Sequence, residues 1–445
     1  MNPNLLKLDI QTLQTEALEL LEQISSQMTL AGQNKWFKNN PANPYKQYQQ
    51  QIENQKQLVE NLELRMAIVA PMKAGKSTII NAIIGQEIVP SHNDAMTTLP
   101  TEIIFNNHLF QPILKLSENY CYQFQNTINN LQTKIQNLGI ERALEIANYP
   151  HLQKLLEEIE QGYIISTETM GRESSIKTLT TLNHILRLVN QLAPDSNIIE
   201  SLTDIPSIET SFWRTSQIQQ LQTQGQLVIV DTPGPNEAGQ GKLKYVVSTQ
   251  LQQSSLVLIV LDFTQLRSIS AAEVKQEVDK VIELRGKENL YILVNKVDVR
   301  EEEEEEKYLN QEQVQQFVAT NFGISGQERV FEISAKWAFL ATNFMRELQE
   351  NPDILPTKMK SAPALAKQIY GRKWKEELNN ISIEKLKLEA ELLWEDSGFY
   401  PFLNEVINVL IKQGIHRCMR NALEIGSNCL VKLFEELESY TNIKN

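Results

Sequence analysis

Ala70-Pro71-Met72-Lys73-Ala74-Gly75-Lys76-Ser77-Thr78 constrains the fold of this chain more than any other stretch, because it reads as a phosphate-binding loop between a strand and a helix. Leu64 to Val69 ahead of it is a short apolar, β-favouring run. Thr78 to Ile84 behind it reads as a buried helix that Gly85 ends. Backbone N–H groups of such a loop converge at a helix N-terminus and cradle two or three phosphates. Ala74, Gly75, Lys76, Ser77 and Thr78 are the predicted cradle, with Lys76 reaching the β and γ phosphates and the Ser77 hydroxyl binding Mg²⁺. The usual pattern opens with Gly, whereas this chain has Ala70, which is harmless only where φ is negative.

Three later motifs fall at predicted strand ends in the order a guanine-nucleotide site needs. Gln226 to Val230 runs into Asp231-Thr232-Pro233-Gly234, where Asp231 would hold a Mg²⁺-bound water and the Gly234 amide would meet the γ phosphate. Ser255 to Asp262 reads as a core strand, and a helix is predicted from Ala271 to Leu284. Leu290 to Val294 then delivers Asn295-Lys296-Val297-Asp298. The Asp298 carboxylate can accept from the two adjacent N–H donors on the guanine edge, a pair that adenine does not offer. Val330 to Ile333 leads into Ser334-Ala335-Lys336, whose backbone amides suit the guanine carbonyl oxygen. GTP or GDP with Mg²⁺ is the implied ligand set.

At 445 residues the chain can bury a sizeable core, and one large domain with a smaller one is expected. Its three cysteines are widely spaced without metal-ligand spacing, which predicts reduced, structural thiols in a cytoplasmic protein. No apolar run approaches the roughly 20 residues that span a bilayer. A net charge of −13 argues against direct nucleic-acid binding and against simple adhesion to anionic lipid.

Around this core lie helical flanks, and the division expected is 1–61, 62–410 and 411–445. Leu13, Ala17, Leu20 or Leu21, Ile24 and Met28 recur at helical steps near the N-terminus, and a second helix is predicted from Lys46 to about Leu62. Ile415, Met419, Ala422, Ile425, Cys429 and Leu433 form a similar stripe near the C-terminus. Each stripe needs a partner, so the terminal helices are expected to pack as a bundle beneath the nucleotide domain. A helical insertion is expected at about 112–200, with Ile128, Leu131, Ile135 and Leu138 on one face and a second helix from Ile176 to Leu192. The run Glu301 to Glu306 reads as a solvated helix start.

In Lys73 to Gly85, Ile88-Val89-Pro90, Met96 to Ile103, Asp231 to Gly234, Asn295 to Asp298 and Asp396-Ser397-Gly398-Phe399, the chain resembles the dynamin-like large GTPases, especially their bacterial members. The resemblance covers roughly residues 50 to 430. It implies an α/β, P-loop GTPase domain with an eight-stranded mixed sheet, a helical-bundle neck reached through Asp396 to Phe399, and GTP-dependent pairing of two GTPase domains. The family spacing Thr-x-x-Pro assigns Thr97 to Mg²⁺ and the attacking water, with Thr98 in reserve. The Met-Lys-Ala-Gly-Lys-Ser form of the loop looks most like the bacterial branch whose members have been linked to chromosome or replication-clamp behaviour.

Membrane-reshaping members continue into a long stalk with a lipid-binding tip, and this chain stops at Asn445. A minimal member, a partner of a longer homologue and a piece of a longer protein all remain open. Lys73 occupies the loop position where relatives carry a cation-binding hydroxyl or an arginine finger, so it is the candidate catalytic cation supplied in cis. Two functions compete: a GTP-hydrolysing enzyme that dimerises and acts on assemblies or a peripheral membrane, and a slow-turnover scaffold that partners a longer homologue or a chromosome-associated complex.

Overall fold

The computed structural model describes residues 3–32, 45–71, 73–90, 99–147, 152–193, 204–213, 225–233, 249–266, 271–285, 287, 290–302 and 309–444. Its centre is a mixed sheet of nine strands in the order β4-β3-β5-β2-β6-β1-β7-β8-β9. The strands are β1 (Glu63–Val69), β2 (Thr101–Phe105), β3 (Ile113–Lys115), β4 (Glu168–Met170), β5 (Ser207–Thr210), β6 (Gln226–Asp231), β7 (Leu256–Asp262), β8 (Leu290–Asn295) and β9 (Val330–Ile333). From β6 across to β9 all neighbours are parallel, while β2 joins β6 antiparallel and β3 pairs antiparallel with both β4 and β5. The eight strands implied by resemblance are therefore nine among the described residues. The short strands β3 and β4 come from the stretch read as wholly helical, and three-residue strands leave too few alternations to show a period of two.

The central strands are apolar throughout because both faces of the sheet are covered. In β7, Leu256, Leu258 and Val260 enter one core, while Val257, Ile259 and Leu261 enter the other. The second core is closed by α8 (Ala271–Arg285) through Val278 and Val281, and by α10 (Gln311–Phe322) through Val314, Val318 and Phe322. The first is closed by α3 (Lys76–Ile84), α11 (Ala335–Glu350) and α15 (Phe399–Val409).

The insertion holds α4 (Glu118–Leu138), α5 (Ile140–Ala147), α6 (Gln153–Glu160) and α7 (Arg172–Leu192). Phe124, Ile128, Leu131 and Ile135 of α4 are buried, and Leu182, Ile185 and Leu186 of α7 belong to the same core. Leu138, expected on that face, is 41% exposed at the helix end. The acidic run begins in α9 (Val299–Glu302), and its remainder lies outside the described residues.

The terminal helices α1 (Pro3–Gly32), α2 (Tyr45–Glu60) and α16 (Ile415–Lys444) pack together, with Met28, Ile52, Cys429 and Leu433 forming a buried cluster of their own. Leu21 is the buried member of the Leu20/Leu21 pair, at 0% against 47% exposed. Leu13 is also exposed. Its neighbour Gln14 takes the inward place and donates from Nε2 to the carbonyls of Val59 and Glu60 at 2.9 and 3.0 Å, satisfying the open end of α2. A π-helical turn, Leu410–Gly414, joins α15 to α16. Between the sheet and that turn, α12 (Ala362–Tyr370), α13 (Trp374–Asn380) and α14 (Ile383–Asp396) pack on α11 around Phe344, Leu365, Leu378 and Leu386.

Candidate functional site

The C-terminal ends of β1, β6, β7, β8 and β9 lie side by side, and β1 sits between β6 and β7, where the chain changes direction across the sheet. Such a switch point opens a crevice for a ligand. The loop leaving β1 turns through Lys73 at φ 66° and Gly75 at φ 93° and enters α3, with the Ala74 N–H donating to the Pro71 carbonyl at 3.2 Å. Ala70 is buried and lies outside the left-handed region, so the missing glycine costs nothing there. Lys73 does adopt a left-handed backbone, which costs a side chain about 1–3 kcal/mol and marks a site held by its surroundings. Its side chain is exposed, while Ser77 and Thr78 are half-buried on the first turn of α3.

The Asn295 carboxamide ties the loop to its neighbours. Nδ2 donates to the Ala74 carbonyl at 2.8 Å, and Oδ1 accepts from the Ala335 N–H at 2.9 Å. Lys296, at φ 71°, donates from Nζ to the Lys73 carbonyl at 2.9 Å. Residues 73–75, 295–298 and 334–336 thus form one connected rim. Ser334 is fully buried and its hydroxyl caps α11 by accepting from the Trp337 N–H, whereas Lys336 is exposed.

Two carboxylates at this rim keep buried oxygens that no described residue satisfies. Asp298 Oδ1 is one, and Asp231 Oδ2 is the other. Buried polar atoms are satisfied in most folds, which makes these two oxygens at neighbouring strand ends the candidate ligand contacts. The other oxygen of Asp231 is paired with the Lys76 ammonium. Hard carboxylate and hydroxyl oxygens at Asp231 and Ser77 match the donor chemistry of Mg²⁺. Beside them, the Thr232 hydroxyl donates to the Ile68 carbonyl at 2.8 Å and locks the end of β6 to β1. Thr97, Thr98 and Gly234 lie outside the described residues.

Residues 66–298, just over half of the chain, match the sequence profile of the dynamin family. The chain belongs to the dynamin family of GTPases. Two proteins named clamp-binding protein CrfC, from Escherichia coli and from its strain K12, are each 30% identical over 399 residues, or 88% of this chain and 52% of theirs. This dynamin-family chain therefore spans about half the length of the curated relatives it matches. A solved structure described as an oligomerised bacterial dynamin pair for long-range sensing and tethering of membranes is 15% identical, covers 98% of this chain and 66% of its own, and superposes with a TM-score of 0.34.

Two features of this dynamin-family site go beyond the roles expected from the sequence. Asp262, at the end of β7, accepts from Lys296 Nζ at 2.6 Å through Oδ2 and from the Thr264 N–H and hydroxyl at 2.9 and 2.6 Å through Oδ1. An Asp followed two residues later by Thr at a strand end is an Asx-turn signature, and it was the available signal. The second is the Ser397-Gly398 turn beneath β9. The Ser334 N–H donates to the Ser397 carbonyl at 2.8 Å, and a Cβ on Gly398 would lie 2.3 Å from the Glu332 carbonyl oxygen. The resemblance placed this turn at the join to the helical neck; its backing of the 334–336 turn is visible only in three dimensions. Among the described residues no helix is long and apolar enough to cross a membrane.

Proposed function

We propose that this chain binds GTP and GDP with Mg²⁺ and hydrolyses GTP. The carrying observation is the buried, unsatisfied Asp298 Oδ1 at the rim that Asn295 ties to the phosphate loop. A carboxylate so placed selects a base that presents adjacent N–H donors, and adenine would leave it unpaired. In this reading Ala335 and Lys336 flank the base with Ser334, and the N–H groups of Ala74 to Thr78 hold the phosphates.

Lys76 is assigned to the β and γ phosphates and has to leave Asp231 to reach them. Ser77, Thr97 and, through water, Asp231 are assigned to Mg²⁺, with Thr98 in reserve for Thr97. Mg²⁺ bound there would neutralise charge on the phosphate oxygens. Gly234 is assigned to the γ phosphate, and Lys73 to the charge that grows on the bridging oxygen. The exposure of Lys73 on a strained turn supports a side chain free to swing toward that oxygen.

In the proposed division, residues 62–410 hold the GTPase unit with its insertion at about 112–200, while 1–61 and 411–445 supply the neck. Pairing of two GTPase units across the nucleotide face would drive assembly or membrane remodelling from the cytoplasm. The clamp-binding name of the CrfC relatives favours a second reading, a GTP-dependent adaptor within a replication- or chromosome-associated complex. Titration calorimetry with GTP, GDP and ATP tests the binding, and comparable ATP affinity would refute it. GTP turnover per molecule measured across protein concentration separates the two roles: turnover rises with concentration for an assembling enzyme and stays flat for an adaptor.

A further inference from the structure

The turn that carries Asp298 is held at its entrance by the Asn295 carboxamide and at its exit by Arg300. Its own backbone holds it loosely. The Val297 N–H reaches the Ile333 carbonyl, and the Val299 N–H the Lys296 carbonyl, only at 3.4 Å, against 2.9 Å from the Arg300 N–H to the Val297 carbonyl. The Arg300 guanidinium closes on Glu332 of β9 with both arms of its fork, Nη1 donating to Oε2 at 2.8 Å and Nη2 to Oε1 at 3.0 Å. It also lies over the Phe263 ring, just past the end of β7, at 4.6 Å from the ring centroid. One side chain, two residues beyond Asp298, therefore joins the ends of β7, β8 and β9. Its Nε is buried and meets no acceptor among the described residues, so Glu332 supplies the oxygens that hold the fork.

A part-exposed ion pair adds little to stability, and here Arg300 is 30% and Glu332 12% exposed. What a stacked, bidentate arginine fixes is direction, because the planar fork and the ring together leave the guanidinium one orientation. A lysine cannot reproduce it. Direction is also what Asp298 needs. A single carboxylate has to meet two adjacent N–H donors at once, and its buried Oδ1 has no described partner to hold it in place before they arrive.

We propose that Arg300, through Glu332 and Phe263, is a positioning residue for base recognition and sets how strictly Asp298 selects guanine. This rests on the guanine-nucleotide reading above.

The test measures the affinities of GDP, IDP and ADP by titration calorimetry in the full chain, together with melting temperatures. The hypoxanthine of IDP lacks the amino group of guanine and offers Asp298 one donor in place of two, so the ratio of GDP to IDP affinity reads the aim of the carboxylate. Arg300→Lys keeps the charge and loses the fork. It is expected to lower that ratio about tenfold, with IDP affinity and melting temperature little changed. Glu332→Gln, which cannot accept with both oxygens, is expected to lower the ratio as well, and the double variant to lower it no further than the stronger single one. Should one single variant fail to fold, the other alone decides. A parental ratio in Arg300→Lys or in Glu332→Gln, an equal loss of GDP and IDP affinity, losses that add in the double variant, or unfolding of both single variants overturns the inference alone. A parent chain that binds IDP or ADP as tightly as GDP overturns the guanine reading with it.

Discussion

Gly75 and Asn295 are in contact across the site: a Cβ on Gly75 would lie 2.3 Å from Asn295 Nδ2, the atom that donates to the Ala74 carbonyl. The same glycine sits at φ 93°, so a side chain there meets both a strained backbone and an occupied space. Gly75→Ala is expected to cost about 1–3 kcal/mol of stability and to abolish tight guanine-nucleotide binding, because the carboxamide has to release the phosphate loop. Denaturant unfolding and calorimetry check the two parts, and GDP binding at parental affinity would contradict the second.

Asp298→Asn replaces a carboxylate that accepts twice with an amide that accepts once. GTP affinity is expected to fall by roughly 10²-fold, the cost of an unsatisfied donor in a buried site. Preference is expected to move toward xanthine nucleotides, whose edge carries a carbonyl where guanine carries an amino group. Competition between GTP and XTP measures the switch.

At the phosphate end, Lys76→Ala is expected to abolish tight binding of both nucleotides. Thr97→Ala is expected to spare GDP and slow hydrolysis; if Thr98→Ala does so instead, the assignment moves by one residue. Lys73→Ala is expected to reduce turnover by about 10³-fold with GTP affinity little changed, as for a finger residue. Turnover in the parent chain is expected to be the same in sodium and in potassium, and a strict potassium requirement would contradict the role of Lys73.

Glu347 on α11 accepts from the Lys360 N–H at 2.8 Å, the Ser361 N–H at 2.8 Å and the Ser361 hydroxyl at 2.6 Å. Burial alone would push its carboxyl up, yet these donors hold it below the ordinary 4.5. The unfolded chain then binds more protons between the two values, so stability rises with pH across that window. The contribution is full above the unfolded value and is lost as pH falls through the folded one. Since much of the carboxylate is solvated, Glu347→Gln is expected to cost about 1 kcal/mol near neutrality. Urea unfolding at descending pH is expected to show the difference closing below the carboxylate range.

In the bundle, Leu21→Ala is expected to destabilise by about 2–5 kcal/mol, because it opens a cavity between α1 and α16. The neighbouring exposed Leu20→Ala is expected to stay within about 0.5 kcal/mol of the parent chain. Deleting residues 1–35 uncovers the α16 stripe and is expected to cause aggregation. A truncated chain that stays monomeric and equally heat-stable would contradict the packing.

Cys418 lies on the same helix, with its thiol facing the Leu58 carbonyl at 3.4 Å. Burial is the main cause that pushes this thiol up to about 12, with the Glu63 carboxylate adding to it. It therefore stays protonated in the folded protein at any ordinary assay pH. Alkylation of Cys418 in the native chain is expected to be far slower than in urea, and mass spectrometry of the labelled peptides reads the ratio.

What depends on near neighbours along the chain is legible in the order of its residues. Lys73 to Ser77 with its flanking strand and helix, the buried runs of β6, β7 and β8, and the apolar stripes of α1 and α16 are local patterns, and local spacing fixes their periods and ends. The sequence also placed each nucleotide motif at a strand end. Tertiary structure decided whatever needed a partner far along the chain. It chose Leu21 over Leu20, turned Gln14 inward to the end of α2, and brought Asn295 to Ala74 across 221 residues. It set the Ser397-Gly398 turn beneath Ser334 and gave the Leu99 amide to Asn183. The physical reason is that hydrogen-bond donors and acceptors carry no period: any Asn can satisfy any nearby amide, and only the packed sheet and helices decide which one is near.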